Sequence, residues 1–236
     1  MNTTLNIKNK TMKKYTEPLE PDTVYHIYNR GINGENIFKE ERNYRYFLEK
    51  YAQCISPIAD TYAYCLLKNH FHLAVKIKTE PKIMDFYWKK KGINANVGEI
   101  PNLPDVKNDD VKKTDIQRII NQQFAVLFNG YAQAINKAYN RTGGLFEQSF
   151  RRIMVDTDAY FTELIYYIHH NPQKHGFVKD FRDYPHSSYH SHLASSPTRL
   201  QRGEVISWFG NKSEFQKFHI GNQELASLMK FEIELD

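Results

Sequence analysis

His70-Phe71-His72-Leu73-Ala74-Val75-Lys76-Ile77-Lys78 alternates without a break. Phe71, Leu73, Val75 and Ile77 fall on one side, and His70, His72, Ala74, Lys76 and Lys78 on the other. Successive side chains of an extended chain point to opposite faces, so the pattern predicts a strand over 70–78 with its apolar face on the core. The histidines then stand on the face away from that core, their imidazoles side by side. A lone strand histidine is ordinarily a hydrogen-bonded core residue, which this placement does not suit. A metal chelate and a pair of solvated surface histidines remain as readings.

Working outward, Ala59 to Leu67 supplies a second strand near 60–67, joined to the first through a tight Lys68-Asn69 turn. A strand near 24–30 places His26, Tyr28 and Arg30 on one side and Tyr25 and Ile27 on the other. Tyr44, Phe47, Leu48 and Tyr51 repeat at helical spacing within a helix near 41–55. Ile119, Ile120, Phe124 and Leu127 mark another near 115–139, and Gly143-Gly144 breaks the chain before a fourth strand near 148–155. The order β-α-β-β-α-β is that of a split βαβ, so the fold class is α+β: a ferredoxin-like (RRM-like) antiparallel sheet with helices on one face. In this topology the first and third strands are neighbours, and His26, Tyr28 and Arg30 approach His70 and His72. The histidine face is expected to stay open.

A last long helix follows, reading TDAYFTELIYYIHHN over 157–171. Phe161, Leu164, Ile165 and Ile168 form its buried stripe, and Asp156, Thr157 and Asp158 are its N-cap candidates. Pro172 is expected to end it. At about 100° per residue, Tyr160, Tyr167 and Asn171 share one flank and Tyr166 lies far round from them. Tyr167 and Asn171 can therefore offer a nucleophile and a further metal ligand from one face. Metal and tyrosine together are equipped to break a phosphodiester and retain the cut end on the protein. Simple packing at a helix edge is the plainer account of Tyr167 in a chain with 16 tyrosines.

Tyr167-Ile168-His169-His170-Asn171-Pro172, with Lys174 and Gly176 beyond, resembles the tyrosine-helix motif of the single-tyrosine HUH transposases, most closely their REP-associated tyrosine transposase branch. Tyr25-His26-Ile27-Tyr28-Asn29-Arg30-Gly31, Asn69-His70-Phe71-His72-Leu73, Gly144-Leu145-Phe146-Glu147-Gln148 with Phe150, and Asp183-Tyr184-Pro185 with Ser187-Ser188-Tyr189 are similar to other family blocks, in the same order. The chain departs from the family at Leu67-Lys68, where Met-Pro is usual, and at Gln173.

The resemblance implies a metal-dependent single-stranded DNA transposase or endonuclease acting beside hairpins. Tyr167 would be the nucleophile, forming a 5′-phosphotyrosine, and His70, His72 and Asn171 the ligands of Mg2+ or Mn2+. Candidate nucleic-acid contacts are His26, Tyr28, Arg30, Lys68, Arg141, Arg151, Arg152 and Lys174. The partner is single-stranded DNA with a hairpin, bound by a monomer, with a homodimer as the alternative. The implied setting is a bacterial cytoplasm, beside the nucleoid. Residues 1–21 are expected to be a disordered arm, 22–192 the nuclease domain and 193–236 a helical tail. Residues 79–114, with Trp88-Lys89-Lys90-Lys91-Gly92 and then a loop-like stretch, read as an insertion.

Composition agrees with these expectations. Net charge is +5, 14% of residues are aromatic, and Cys54 and Cys65 have no metal-type spacing, which suits a reducing compartment. No apolar run approaches membrane-spanning length, and the first 20 residues lack the apolar region of a signal peptide. Other readings are an RRM-like nucleic-acid-binding protein without catalysis, a hydrolytic metal nuclease using the same histidines, and a plasmid replication initiator of HUH type.

Overall fold

The computed structural model describes residues 17–92, 109–147 and 149–221, without the side chains of 109–114. Strands β1 (Val24–Arg30), β2 (Ala59–Leu66), β3 (His70–Ile77) and β4 (Arg151–Val155) form one antiparallel sheet in the order β2-β3-β1-β4. This is the α+β order that the split βαβ pattern predicts. Leu67 N–H donates to His70 O at 2.8 Å across the Lys68-Asn69 turn. The turn's carbonyls accept from Phe38 N and Gly31 N at 2.8 and 2.7 Å, which fixes the β2–β3 hairpin against the end of β1.

Helix α1 (Glu41–Cys54) links β1 to β2, and α2 (Glu80–Lys90) and α3 (Asp109–Ala138) lie between β3 and β4. Tyr25, Ile27, Phe71, Leu73, Val75 and Ile77 of the sheet meet Phe47 of α1 and Ile120, Phe124 and Leu127 of α3 in a first core. Its aromatic hydroxyls are satisfied: Tyr131 donates to Ile37 O at 2.8 Å, and Tyr51 pairs with Thr61 Oγ1 at 2.8 Å.

The segment read as an insertion begins with a helix. Thr79 precedes α2, Pro81 sits in its first turn, and Lys89 and Lys90 occupy its last. Ile83 is fully buried, and Phe86 and Tyr87 pack on the first core. The remainder of the stretch, 93–108, lies outside the described residues.

The expectation of an open histidine face is corrected. Helix α4 (Asp158–Lys174) crosses that face, and Phe161, Leu164, Ile165 and Ile168 pack on Tyr62, Ala63 and Cys65 of β2 and Ala74 of β3. Alanine and cysteine leave room for a helix close to the sheet, which makes this a second core. Thr157 caps α4, accepting from Tyr160 N at 3.2 Å. Pro172 does not end α4, which runs on to Lys174. Proline deletes one donor, and the turn beyond it is closed by His175 N to Asn171 O and Phe177 N to Pro172 O, at 3.0 and 2.8 Å.

Both ends of the described chain join this body. Leu19 is fully buried, Tyr25 Oη donates to Pro18 O at 2.8 Å, and Arg152 Nε donates to Glu17 O. The arm assigned to 1–21 is therefore ordered from residue 17; residues 1–16 lie outside the described residues. Short helix α5 (Tyr189–Leu193), α6 (Arg202–Trp208) and α7 (Lys212–Gly221) complete the second core with Tyr189, Val205 and Phe215. The stretch read as a tail is, as far as 221, part of the packed domain.

A hydrogen-bond relay fastens α7 to α4 and β2. Phe215 O can only accept, so His219 Nδ1 carries its proton, at 2.8 Å. Neutral His219 then accepts at Nε2 from His169 Nδ1, at 2.9 Å. His169 Nε2 in turn accepts from Ser188 Oγ at 2.8 Å, and Ser188 Oγ accepts from Tyr64 N at 3.0 Å. Each proton in the chain has one consistent position. Among the described residues, no helix is long and apolar enough to cross a membrane.

Candidate functional site

Register builds the site. Tyr28 lies opposite His72 and Arg30 opposite His70, so β1 and β3 present a continuous row of rings to α4. The His26 and His72 ring centroids are 5.1 Å apart and stacked; those of His70 and His72 are 5.2 Å apart and perpendicular. From α4, Tyr167 turns its edge to His72 at 5.4 Å and to His26 at 5.9 Å. Tyr166 faces elsewhere, stacked on His170 at 3.8 Å.

The hydrogen bonding of this cluster is incomplete. His70 Nδ1 lies 2.7 Å from Asn69 Oδ1. The amide oxygen accepts, so Nδ1 holds the proton and Nε2 keeps its lone pair. His72 Nδ1 lies 2.9 Å from His26 Nε2. Asn171, fully buried, donates through Nδ2 to Tyr167 O at 3.3 Å. His70 Nε2, His72 Nε2 and Asn171 Oδ1 are buried without a hydrogen bond of good geometry, and the Asn171 amide lies within reach of the His70 ring. An unmet buried polar atom costs about 1–3 kcal/mol, and native folds hold few of them. Three such atoms, on β3 and on the helix crossing it, form a donor set of two imidazole nitrogens and one amide oxygen. That set fits a divalent cation.

Burial tunes the same groups. It holds the pKa of His26 and of His70 down at about 3 and that of His72 well below the usual imidazole value. All three are neutral near pH 7, the state in which imidazole binds metal. Burial pushes Tyr167 up to about 12, and Asn171 acts in the opposite direction. Lys174, exposed at the end of α4, holds Nζ 5.4 Å from the centroid of the Tyr167 ring. Among the described residues, no group of three or more His, Cys, Asp or Glu side chains is arranged to hold a metal. A site here needs the Asn171 amide as its third ligand.

The proposed nucleic-acid contacts separate into groups. His26 is fully buried and Tyr28 is 2% exposed, so they back the histidine row and cannot meet DNA at the surface. Arg152 belongs to the opposite face, opposite Ile27, with its guanidinium 5.0 Å from the Phe150 ring and bonded to Glu17 O. Arg141 is bound to Glu35 and to Asn136 Oδ1, and works as a loop strut. Arg30 pairs with Glu147 beside His70, and Arg151 lies opposite Tyr28, half-buried. Lys68 and Lys174 are exposed.

His175 was not singled out from the sequence, yet its ring stands 4.9 Å from that of His70. The signal was available: it follows Asn171 by four residues, on the same side of the helix. Asn69, which sets the His70 tautomer, was read as part of a turn.

No protein-family profile matches the chain, and no curated protein matches it. Among solved structures it is similar to a REP-associated tyrosine transposase bound to a REP hairpin, with TM-score 0.47 and 16% identity, over 78% of this chain and 87% of that one.

Proposed function

We propose that the chain is a metal-dependent, single-stranded DNA transposase or endonuclease of the single-tyrosine HUH type, close to the REP-associated branch. Its substrate would be a strand carrying a hairpin. One observation carries the reading: three buried donors without a hydrogen bond of good geometry, His70 Nε2, His72 Nε2 and Asn171 Oδ1, belong to neighbouring side chains beside the ring of Tyr167. Structural packing does not call for such an arrangement, because apolar residues would fill the space at lower cost.

Mg2+ or Mn2+ held by these donors would supply Lewis-acid polarisation of a non-bridging phosphate oxygen. Asn69 fixes His70 in the ligating tautomer, and His26 does the same for His72 when it accepts the His72 Nδ1 proton. Tyr167 Oη attacks phosphorus as the phenol gives up its proton; the bond to the 3′-oxygen breaks and that oxygen takes up a proton. The product is a 5′-phosphotyrosine, which a later 3′-hydroxyl reverses without ATP. A phenol with a pKa near 12 needs help at neutral pH; the Asn171 amide favours its anion, and the Lys174 ammonium stands over its ring. Lys174 and His175 are exposed at the C-terminal end of α4, so the phosphate enters from that end, with Lys68 as a further anchor. Because Tyr167 meets histidines of its own chain, a monomer suffices, acting in a bacterial cytoplasm.

The test is a denaturing gel of protein with labelled hairpin-bearing single strands from repeats flanking the gene, with and without Mn2+. A labelled, Mn2+-dependent band at protein mass, absent with Tyr167→Phe, is expected. Cleavage that survives Tyr167→Phe without an adduct would reassign the site to hydrolysis.

A further inference from the structure

On the other side of β1 from the histidines lies a cavity of about 460 Å3, bounded by α3, by the loop before β4 and by Asn29. Its volume falls in the range of small-molecule sites. One wall is aromatic: the Phe128 ring lies 5.2 Å from that of Phe150 and 5.5 Å from that of Phe146. Asn129 and Gln133, one helical turn apart on α3 and both exposed, also line it, with Ala125 and Ala132 leaving space beside them.

The rim is built in advance. Asn136 Nδ2 donates to Gly143 O at 2.8 Å, and Arg141 donates to Asn136 Oδ1 at 2.6 Å while pairing with Glu35. Gly143 has φ 83° and Ser149 has φ 60°, so the loop on this side takes two left-handed positions. For serine that conformation is uncommon, and such residues concentrate at ligand sites.

We infer that this cavity receives an unpaired nucleobase of the DNA strand, a few nucleotides from the scissile phosphate. This rests on the reading above. Among the described residues the one ionisable lining residue, Glu147, is neutralised by Arg30, so the cavity suits an uncharged ligand. Side-chain amides offer donor and acceptor together, matching the edge of a base, and the half-buried Phe146 and Phe150 give it an apolar wall to lie against. Position favours the same occupant. Asn29 lines the cavity, while its neighbours Tyr28 and Arg30 lie opposite His72 and His70. Arg151, opposite Tyr28 on the edge strand β4, follows the lining residues Ser149 and Phe150. A strand leaving the histidine row over β4 therefore meets the cavity mouth.

The experiment selects binders from hairpin-bearing single strands with randomised flanks, using the full chain and Asn129→Ala/Gln133→Ala, and sequences both pools. Both positions are exposed, and circular dichroism with thermal melting checks that the variant folds. The wild type should show a base preference at several flank positions, and the variant should lose it at one or two adjacent positions only. Affinity for the selected wild-type strand should fall roughly ten-fold or more, as expected for loss of two side-chain hydrogen bonds to one base. Identical base profiles and affinities for the two proteins would overturn the cavity assignment, even where the Tyr167 adduct forms on the selected strands. A wild type that enriches no sequence and forms no adduct would overturn the cavity assignment together with the functional reading.

Discussion

Helix α4 carries histidine chemistry on two sides, and the two sides are finished differently. Behind it, the relay from Tyr64 N through Ser188, His169 and His219 to Phe215 O is closed, with every proton placed. Towards the sheet, His70 and His72 each bond through Nδ1 and leave Nε2 unmet, as Asn171 leaves Oδ1. Both clusters are buried and neutral, so burial and depressed pKa values do not distinguish them. Hydrogen-bond completeness does. His170 Nε2 and both ring nitrogens of His192 are also without a hydrogen bond of good geometry. They lie beside backbone groups of His219 and Tyr62.

The largest expected effect is common to the two sides. Burial holds His26, His70 and His219 at about 3 and His170 and His192 at about 4, against an ordinary value of 6.5. These folded-state pKa values are depressed, so the unfolded chain takes up protons first. Stability is full above about pH 6.5 and is lost as pH falls through the window from there towards 3–4. At pH 5.5 each such histidine removes about 1 kcal/mol, and together they approach the whole stability of a domain. Denaturant midpoints between pH 7.5 and 5 measure this; a flat profile would mean the rings are solvated.

Next in size is a change on the closed side. His169→Leu leaves the Ser188 hydroxyl proton without its acceptor and His219 Nε2 without its donor, so it should destabilise by about 2–5 kcal/mol, taking both together. Thermal melting reads this directly. On the open side Asn171→Leu removes an unmet oxygen, and without metal it should leave stability within about 1 kcal/mol of wild type or raise it. Mn2+ at 100 times its dissociation constant should stabilise the wild type by about 2.7 kcal/mol and this variant by much less. Equal losses from His169→Leu and Asn171→Leu would erase the distinction between the clusters.

How much of this could be read from the sequence follows the same division. Strand β3 and its histidine pair were legible because alternation is a local property, and the β2-β3-β1-β4 order followed from element order. Coverage of the histidine face was not legible. His70, His72 and Lys76 look like a solvent face, and only the packing of 158–221 on Ala63, Cys65 and Ala74 buries it. Helix α2 is masked in the sequence although Thr79, Pro81 and Lys89-Lys90 punctuate it, because the Asn, Gly and Pro residues beyond 92 give the segment a loop-like composition. Pro172 misled because a single missing donor near a helix end is cheaply absorbed. The closed relay joins residues from β2, α4 and α7 with Ser188, and no spacing announces it.

The smallest effect tests how the open side is held ready. His26 Nε2 and His72 Nδ1 share one proton over 2.9 Å. If His72 donates, its Nε2 has a lone pair free for a cation; if His26 donates, neutral His72 carries the proton on Nε2 and cannot ligate. In the proposed site His26 would position the ligand and would not bind metal itself. Such outer partners are typically worth 10–100-fold in metal affinity. His26→Gln keeps an acceptor for the His72 Nδ1 proton and should bind Mn2+ within a few-fold of wild type, while His26→Leu should lose about ten-fold or more. Electron paramagnetic resonance of free Mn2+ gives the affinities, and long-range nitrogen–proton NMR of the apo protein reports the His72 tautomer. Equal affinities in all three proteins, with an unchanged His72 tautomer, would make His26 a packing residue and leave the open side defined by β3 and α4 alone.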